Sequence, residues 1–344
     1  MDPDLSRLLR HLPPRVAGYV GSLGPDLVEL ALDIGRPPVA RFAAGFRVLD
    51  PMPIVKEEIL FVVGSVGAFE RDDRAGVEGT LHRLSLVRDR YGDPVGVTVR
   101  LGRHLTGVAE PLRRVLLDTG ESVLLIGRPG SGKTTLLRDC TRILSEALGT
   151  AVVVVDSHNE IGGDGVVPHP AIGMARRLQV PGPSAPAPAT QYDIMLIAVR
   201  NHFPEVVVVD EITTRREADA ARTIARRGVR LLATAHGEGL GDIVHNPELA
   251  GLVGQPSSDG GRPRRLEPPI IGCAVEVRRD RTLAVHRDAA QAVDAVLAGA
   301  PASPDEIVPV PAAAEQRPAP RPPKVRTHDD IPESDPWGWS EDSA

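Results

Sequence analysis

The stretch SVLLIGRPGSGKTTLLRDCTRILSEAL, residues 122–148, runs from an aliphatic segment through a glycine-rich loop into a helical pattern. Its centre, GRPGSGKT at residues 127–134, matches the spacing G-x-x-x-x-G-K-[ST] in the strand–loop–helix context that this spacing requires. Glycines let such a loop wrap a phosphate, and successive N–H groups with the helix N-terminus favour the anion. The predicted nucleotide-binding residues are Gly127, Arg128, Pro129, Gly130, Ser131, Gly132, Lys133, Thr134 and Thr135.

Lysine is rare in this chain, whose basic residues are nearly all arginine. Only Lys56, Lys133 and Lys324 occur, and one of the three falls where the phosphate-binding pattern demands a lysine. We expect Lys133 to contact the β- and γ-phosphates of ATP and to be catalytic. The Thr134 hydroxyl is expected to bind Mg²⁺.

A second aliphatic run, EVVVVDE at residues 205–211, ends in two acids. Four valines followed by an acid fit a buried strand whose carboxylate reaches the Mg²⁺ shell. Asp210 is therefore predicted to contact the metal, and Glu211 is predicted to polarise the attacking water. A solvated strand end is the alternative interpretation.

A third run, AVVVVDSHNEIGGDG at residues 151–165, also passes from valines into acids and glycines. Because the carboxyl ends of parallel strands meet at the ligand crevice, Asp156 and Glu160 are expected near the nucleotide. Glu160 has the charge and reach of a general base for water. A zinc cage is disfavoured, since His158 and Asn159 separate the acids without zinc-ligand spacing. A solvated acidic loop is the remaining alternative.

The strand pattern LLATAHG, residues 231–237, ends in polar groups where a terminal phosphate would be sensed. His236 could donate to the phosphate, report the state of the nucleotide, or cap the turn. We assign it to the catalytic set with Glu160, Glu211 and Lys133.

The patterns divide the chain into three regions. Residues 1–107 predict a small α+β domain with a helix near residues 55–67 and a hairpin within residues 79–103. Residues 108–299 alternate buried strands with helices, which is typical of a mainly parallel sheet. Residues 300–344 predict a disordered, Pro/Ala-rich acidic tail.

Composition limits the classes of protein that the chain can represent. No apolar run approaches the roughly 20 residues that span a bilayer, and the N-terminus lacks an apolar export segment. Two cysteines are too few for a disulfide framework, so we expect a cytoplasmic protein. Ten of the acids lie after residue 288 with only four bases, which leaves the preceding part of the chain close to neutral, without the basic footprint of nonspecific nucleic-acid binding.

With these motifs in order, the chain resembles the stage III sporulation protein AA family of P-loop ATPases, with its cyanobacterial and chloroplast homologues. The likeness runs over about residues 10–298 and includes LLIGRPGSGKTTLLRDCTRIL, VVVVDSHNEIGGDG and ARTIARRGVRLLATAHG. That family is similar to the type II and type IV secretion ATPases, which work as hexameric rings. The resemblance implies an α/β fold with a RecA-like P-loop core of mainly parallel sheet, preceded by a small α+β domain.

The resemblance also implies roles that the residues alone do not give. Asp156 and Glu160 would lie in the acidic box between the two nucleotide motifs, and His236 in the histidine box. An N-terminal domain of these relatives docks on a neighbouring core and supplies arginines to the nucleotide. The candidates here are Arg83, Arg88, Arg100 and Arg103. A homo-oligomer, with a hexamer favoured, and an unidentified protein partner follow from the same likeness.

Competing functions remain open at this point. Many relatives carry a C-terminal Arg-x-x-x-His motif that binds single-stranded nucleic acid, and residues 300–344 lack it. A single-stranded nucleic-acid-binding protein with ATP-regulated activity is therefore the alternative. A GTPase is disfavoured because no N-K-x-D string occurs, and a small-molecule kinase because no Arg-rich lid is evident. Acids at three expected places disfavour a scaffold without turnover. The favoured prediction is Mg²⁺-dependent ATP hydrolysis.

Overall fold

The computed structural model describes residues 2–24, 26–42, 44–67, 69–70, 72–182, 185–257 and 263–311. These residues form two separate sheets with flanking helices. The helices are α1 (Pro3–Leu9), α2 (Pro14–Val20), α3 (Lys56–Val66), α4 (Arg113–Asp118), α5 (Lys133–Leu148), α6 (Gln191–Asn201), α7 (Arg215–Ala225), α8 (Leu240–His245) and α9 (Ala289–Leu297). The strands are β1 (Leu27–Asp33), β2 (Val39–Phe42), β3 (Gly45–Val48), β4 (Arg74–Gly76), β5 (Arg83–Arg88), β6 (Pro94–Arg100), β7 (Val123–Gly127), β8 (Val152–Asp156), β9 (Arg176–Gln179), β10 (Val206–Val209), β11 (Arg230–His236), β12 (Cys273–Val277), β13 (Thr282–His286) and β14 (Glu306–Pro309).

The N-terminal sheet has six antiparallel strands in the order β3-β2-β1-β6-β5-β4. Its β5–β6 hairpin pairs Leu84 with Val99 and Leu86 with Val97, which confirms the predicted hairpin. Helix α3 lies where the sequence predicted a helix, and its buried Ile59 packs in the same core as Leu84 and Val99. Alternating burial thus places one face of this sheet against its helices.

The second sheet has eight strands in the order β14-β13-β12-β7-β11-β10-β8-β9. The six strands from β12 to β9 are parallel, and β13 and β14 continue the sheet antiparallel at one edge. Every residue of β7, β8 and β10 is buried, as expected for strands covered on both faces. The predicted fold class is confirmed: an α/β, RecA-like P-loop core with a mainly parallel sheet, preceded by a small α+β unit.

Helices cover both faces of the second sheet. On one face α5 packs Leu137 and Ile143 against the alternate residues of β7 and β8. On the other face α6 and α7 bury Met195 and Ala221. Helix α7 begins with a capping box, in which Thr214 accepts a hydrogen bond from the N–H of Glu217, and the spacing of Thr214 and Glu217 in the sequence is typical of this cap. No described helix combines the length and apolarity needed to cross a membrane.

The loop after β8 pairs by its backbone with the N-terminal sheet region. The N–H of Gly79 donates to Asp164 O at 2.9 Å, and the N–H of Asp164 donates to Thr80 O at 3.2 Å. A Cβ on Gly163 would lie 2.6 Å from Thr80 O, and its φ of +73° also favours glycine. The glycines of this loop therefore permit close approach between the two parts of the chain.

One prediction is wrong at the start of the presumed tail. Residues 306–309 form β14, in which Val308 pairs with Leu283 of β13. The high proline content obscured an alternating pattern, EIVPVP at residues 306–311, that offers Val308 and Val310 to the core. Residues 312–344 lie outside the described part of the chain. The boundaries near residues 107 and 299 stay predictions.

The packing of strand β14 on β13 can be tested by substitution. Val308 packs against the core, whereas its neighbour Ile307 is 55% exposed. Val308→Ala should lower the free energy of unfolding by about 1–2 kcal/mol, and Ile307→Ala by less than about 0.5 kcal/mol, because only the first removes methyl groups that pack against the core. Urea denaturation of both variants measures the difference. Equal effects would contradict the docking of β14 on β13.

Candidate active site

The P-loop joins the centre of the second sheet to α5. Strand β7 ends at Gly127, and α5 begins at Lys133 after a loop whose Gly132 has φ +97°. This left-handed conformation turns the chain sharply into the helix, and glycine adopts it without strain. The loop residues Arg128, Pro129, Gly130 and Gly132 are exposed, so the first N–H groups of α5 face outward with no helical acceptor.

The base of the loop is tightly packed. A Cβ on Gly127 would lie 2.6 Å from Ser131 Oγ and 2.8 Å from Val277 O, so no side chain fits there. Ser131 Oγ is itself buried without a hydrogen-bond partner. A buried hydroxyl left unpaired beside free helix-start N–H groups suits an anion such as a nucleotide phosphate.

Lys133 lies inside the loop and is only 7% exposed. Its Nζ donates to Gly127 O at 2.8 Å and to Arg128 O at 3.0 Å, and it lies 3.3 Å from His236 Nδ1. Burial lowers the pKa of Lys133, and the charges of Glu211 and Asp210 oppose that shift. Because an ammonium only donates, His236 Nδ1 accepts this bond.

His236 connects Lys133 to Glu211. With Nδ1 accepting, Nε2 carries the proton and lies 2.8 Å from Glu211 Oε1. Glu211 has φ +50°, and its N–H donates to Thr234 Oγ1 at 3.0 Å. The two predicted catalytic residues at this end of the sheet thus form one hydrogen-bonded chain with the P-loop lysine.

Asp210 follows β10 and faces the start of α5. Thr134 Oγ1 donates to its Oδ2 at 3.4 Å, and Thr234 Oγ1 donates to Oδ1 at 3.2 Å. Burial, together with the charges of Glu160 and Asp156, raises the pKa of Asp210 to about 7. A hydroxyl and a carboxylate in an excess of negative charge are oxygen ligands that fit Mg²⁺, which binds few protein groups beside nucleotide phosphates.

Asp156 shapes the acid loop (residues 157–162) instead of lining a cavity. It is 1% exposed, and its carboxylate accepts from the N–H groups of Glu160 at 3.0 Å, Ile161 at 3.4 Å and Gly162 at 2.8 Å. Burial raises the pKa of Asp156, and these backbone hydrogen bonds oppose the shift. The sequence analysis had placed Asp156 and Glu160 together near the nucleotide. In the structure the Asp156 side chain holds the backbone of the loop instead.

Glu160 reaches a cavity of about 310 Å³ between the N-terminal sheet and the P-loop. Its carboxylate forms an ion pair with Arg83 of β5. The cavity lining includes Arg83, Arg100, Arg103, Thr134, Thr135 and Glu160. Three of the four arginines singled out in the sequence thus face the cavity, here against the core of their own chain. Arg88 instead pairs with Asp73 at 2.5 Å.

The site contains two further residues, Gln191 and Arg138, that the sequence did not indicate. Gln191, at the start of α6, accepts from Ser157 Oγ and donates from Nε2 to Glu211 O at 3.0 Å, so it joins the ends of β8 and β10. Arg138 donates to carbonyls of the acid loop. Only the spacing of four between Thr134 and Arg138, which places both on one helix face, could have pointed to the arginine.

Several known proteins are similar to this chain in sequence. A family profile described as sporulation stage III, protein AA matches residues 87–259, half of the chain. Protein SEEDLING PLASTID DEVELOPMENT 1 of Arabidopsis thaliana is 43% identical over 287 residues, which cover 80% of this chain and 41% of that protein. The ycf45 protein of Porphyra purpurea is 41% identical over 311 residues, covering 86% and 54%. The chain therefore spans about half the length of these relatives.

One solved structure shows the likeness of fold. The pilus retraction motor PilT with bound ADP superposes with a TM-score of 0.57 at 14% identity, over 78% of this chain and 80% of that one. At this identity the likeness concerns the fold alone. The resemblance inferred from the sequence motifs is confirmed by the family match.

Asp210 gives a prediction about stability in the absence of Mg²⁺ and nucleotide. Since its pKa in the folded protein, about 7, lies above the value of 3.8 for a free side chain, folding favours its protonated form. The contribution of Asp210 therefore lowers the free energy of unfolding progressively as pH rises from about 4 to 7, and above pH 7 this loss no longer increases. Asp210→Asn removes it, so the gain in unfolding free energy should be on the order of 2–3 kcal/mol larger at pH 8 than at pH 5.

The measurement is chemical unfolding in EDTA at both pH values. Asp118→Asn, at an exposed helix end, is the control and should change stability by less than about 0.5 kcal/mol at either pH. A stabilisation by Asp210→Asn that is the same at pH 5 and pH 8 would refute the raised pKa.

Proposed function

This chain belongs to the sporulation stage III protein AA family, and from that membership and the geometry of the site we propose that it is a Mg²⁺-dependent ATP hydrolase. One observation carries the proposal. Thr134 contacts Asp210 at the carboxyl edge of the sheet, the charge of Asp210 acts on the adjacent Lys133, and Glu160 lies on the adjoining cavity. Groups whose chemistry suits phosphate binding, Mg²⁺ binding and water activation therefore lie near one another, which supports the proposal.

Binding begins at the P-loop. The N–H groups at the start of α5 and the Ser131 hydroxyl would receive the phosphates, and the Lys133 ammonium would neutralise the β- and γ-phosphates. Thr134 and Asp210 would hold Mg²⁺, which supplies charge neutralisation for the phosphates. Lys133 already has hydrogen bonds to two P-loop carbonyls, so its ammonium is held in place before a nucleotide binds.

We assign the general base to Glu160. Water attacks the γ-phosphorus, the bond to the β,γ-bridging oxygen breaks, ADP leaves, and the water proton passes to the Glu160 carboxylate. The Arg83 ion pair occupies that carboxylate, and a terminal phosphate in the cavity is a competing acceptor for Arg83. Transfer of Arg83 to the phosphate would free Glu160, which couples water activation to nucleotide binding.

Glu211 and His236 complete the catalytic set in a different role. Glu211 is hydrogen-bonded to His236, which is hydrogen-bonded to Lys133. A phosphate that draws Lys133 away from His236 would alter this chain, so we propose that the pair senses the nucleotide and orients water. Arg83 belongs to the N-terminal sheet, so its transfer to the phosphate would connect this sheet to nucleotide binding. We propose that the N-terminal sheet does conformational work on a protein partner.

The assignment of the base is tested by substitution. Glu160→Gln should keep ATP binding while kcat falls at least about 100-fold, because the amide cannot take the proton. Lys133→Ala should lose both binding and turnover. Steady-state phosphate release and titration with a fluorescent ATP analogue measure the two effects. Glu146→Gln, at the far end of α5, is the control and should retain wild-type turnover.

Two results would contradict the roles proposed for Glu160 and for the whole site. If Glu160→Gln hydrolyses ATP at the wild-type rate and Glu211→Gln does not, Glu211 is the base. If the wild-type protein with Mg²⁺ binds ATP but releases no phosphate, the proposed hydrolase function is wrong.

We also propose a homo-oligomer, with a hexamer favoured, on the strength of the family resemblance. Native mass measurement with Mg²⁺ and a nonhydrolysable ATP analogue should show a six-fold assembly, because in the related ATPases an N-terminal domain supplies arginines to the nucleotide on a neighbouring core, so that a bound nucleotide would link two subunits. Lys133→Ala, which should not bind nucleotide, is the control. A monomer under all conditions would contradict the proposal.

A further inference from the structure

Arg138 is a charged side chain buried on the nucleotide-binding helix. It lies one turn after Thr134 on α5 and is 7% exposed. Its guanidinium donates to three main-chain carbonyls: Nε to Ile161 O at 3.0 Å, Nη1 to Arg103 O at 3.0 Å, and Nη2 to Glu160 O. Burying a cation destabilises the folded protein unless its N–H donors have hydrogen-bond acceptors. The three carbonyls are therefore held close to the Arg138 guanidinium.

The three carbonyls belong to two segments that are far apart in sequence. Those of Glu160 and Ile161 lie in the acid loop, and that of Arg103 lies in the segment that leaves the N-terminal sheet after β6. One planar guanidinium therefore joins α5, the acid loop and the connection between the two sheets. Lysine could not do the same, because its ammonium lacks the rigid fork that reaches three separate acceptors.

The opposite side of the acid loop is held by Asp156. Its carboxylate takes the N–H groups of Glu160, Ile161 and Gly162, while Arg138 takes the carbonyls of Glu160 and Ile161. Both hydrogen-bonding sides of the main chain at Glu160 are thus fixed by buried charges. The backbone of Glu160 is therefore held in one place relative to α5, and its side chain is directed to the cavity shared with Thr134.

We propose that Arg138 is a positioning residue for ATP hydrolysis, which holds Glu160 at a fixed place relative to the nucleotide-binding helix; this inference rests on the proposed function. Arg138 also lines the cavity, but the hydrogen bonds of its guanidinium go to main-chain carbonyls, and this is why we assign it a positioning role. Its loss should lower kcat and leave the KM for ATP nearly unchanged, since the P-loop itself keeps its contacts. It should also loosen the acid loop, whether or not ATP is turned over.

The chain offers a matched control in Arg142. This residue lies on the same helix, one turn further on, and is 9% exposed, but it binds the carboxylates of Asp139, Glu146 and Glu110. It makes no contact with the acid loop among its hydrogen bonds in the described structure. Arg142→Lys therefore disturbs a buried arginine of α5 without touching the carbonyls of Glu160 and Ile161.

The experiment compares Arg138→Lys, Arg138→Gln and Arg142→Lys in the full chain. For both Arg138 variants kcat should fall at least about tenfold with the KM for ATP within about twofold of wild type, because the base is misplaced while binding persists. Hydrogen–deuterium exchange of peptides covering residues 160–162 should become faster. Arg142→Lys should lower the melting temperature but leave kcat and the exchange of residues 160–162 unchanged.

Each outcome decides the proposal. It is overturned if exchange at residues 160–162 in folded Arg138→Lys equals that of wild type, if kcat is unchanged, or if Arg142→Lys loses kcat to the same extent. If the wild-type protein has no ATPase activity, the proposed function fails. The exchange comparison still decides whether Arg138 holds the acid loop.

Discussion

The hydrogen bonds from Lys133 Nζ to Gly127 O and Arg128 O determine the shape of the P-loop from inside. In a trans peptide the N–H points away from the C=O, so the Gly127 carbonyl drawn toward Nζ turns the N–H of Arg128 outward. The Arg128 carbonyl precedes Pro129, which has no N–H to present. In the proposed function, the lysine that would neutralise a phosphate therefore also orients one backbone donor of the loop, the N–H of Arg128. Gly132 completes this arrangement, because its φ of +97° leads the chain from the loop directly into α5.

The same principle, a buried charge satisfied by main-chain groups, recurs around the acid loop. Asp156 is held by three N–H groups and Arg138 by three carbonyls. Burial lowers the pKa of Arg138, and the carboxylates of Asp156 and Asp210 oppose the shift. Side-chain ion pairs can exchange partners by rotation, whereas these charges release their partners only if the backbone moves. The result is a loop whose backbone is held by buried charges and whose Glu160 side chain forms an ion pair with Arg83.

The sequence determined the local features of this structure and left the long-range ones open. Valine runs, the P-loop spacing, the β5–β6 hairpin and the Thr214 cap each depend on neighbours in sequence, and all four were predictable. Strand β14 was missed because the prolines obscured a two-residue alternation. Gln191 has no signature in the sequence and Arg138 has only its spacing of four from Thr134, since their partners lie in distant segments that only the fold brings together. For the same reason sequence grouped Asp156 with Glu160, although one is buried in the loop and the other faces the cavity.

The two glutamates of the site are connected to different parts of the protein. Glu211 is linked through His236 to Lys133, so its surroundings depend on what the P-loop binds. Glu160 is linked through Arg83 to the N-terminal sheet, and its loop pairs with that sheet again through Gly79 and Asp164. A displacement of the N-terminal sheet would therefore reach Glu160 without disturbing the contacts of Lys133. In the proposed hydrolase, Lys133 and Glu160 would therefore respond to different parts of the protein, and the Arg83 ion pair would connect nucleotide binding to water activation.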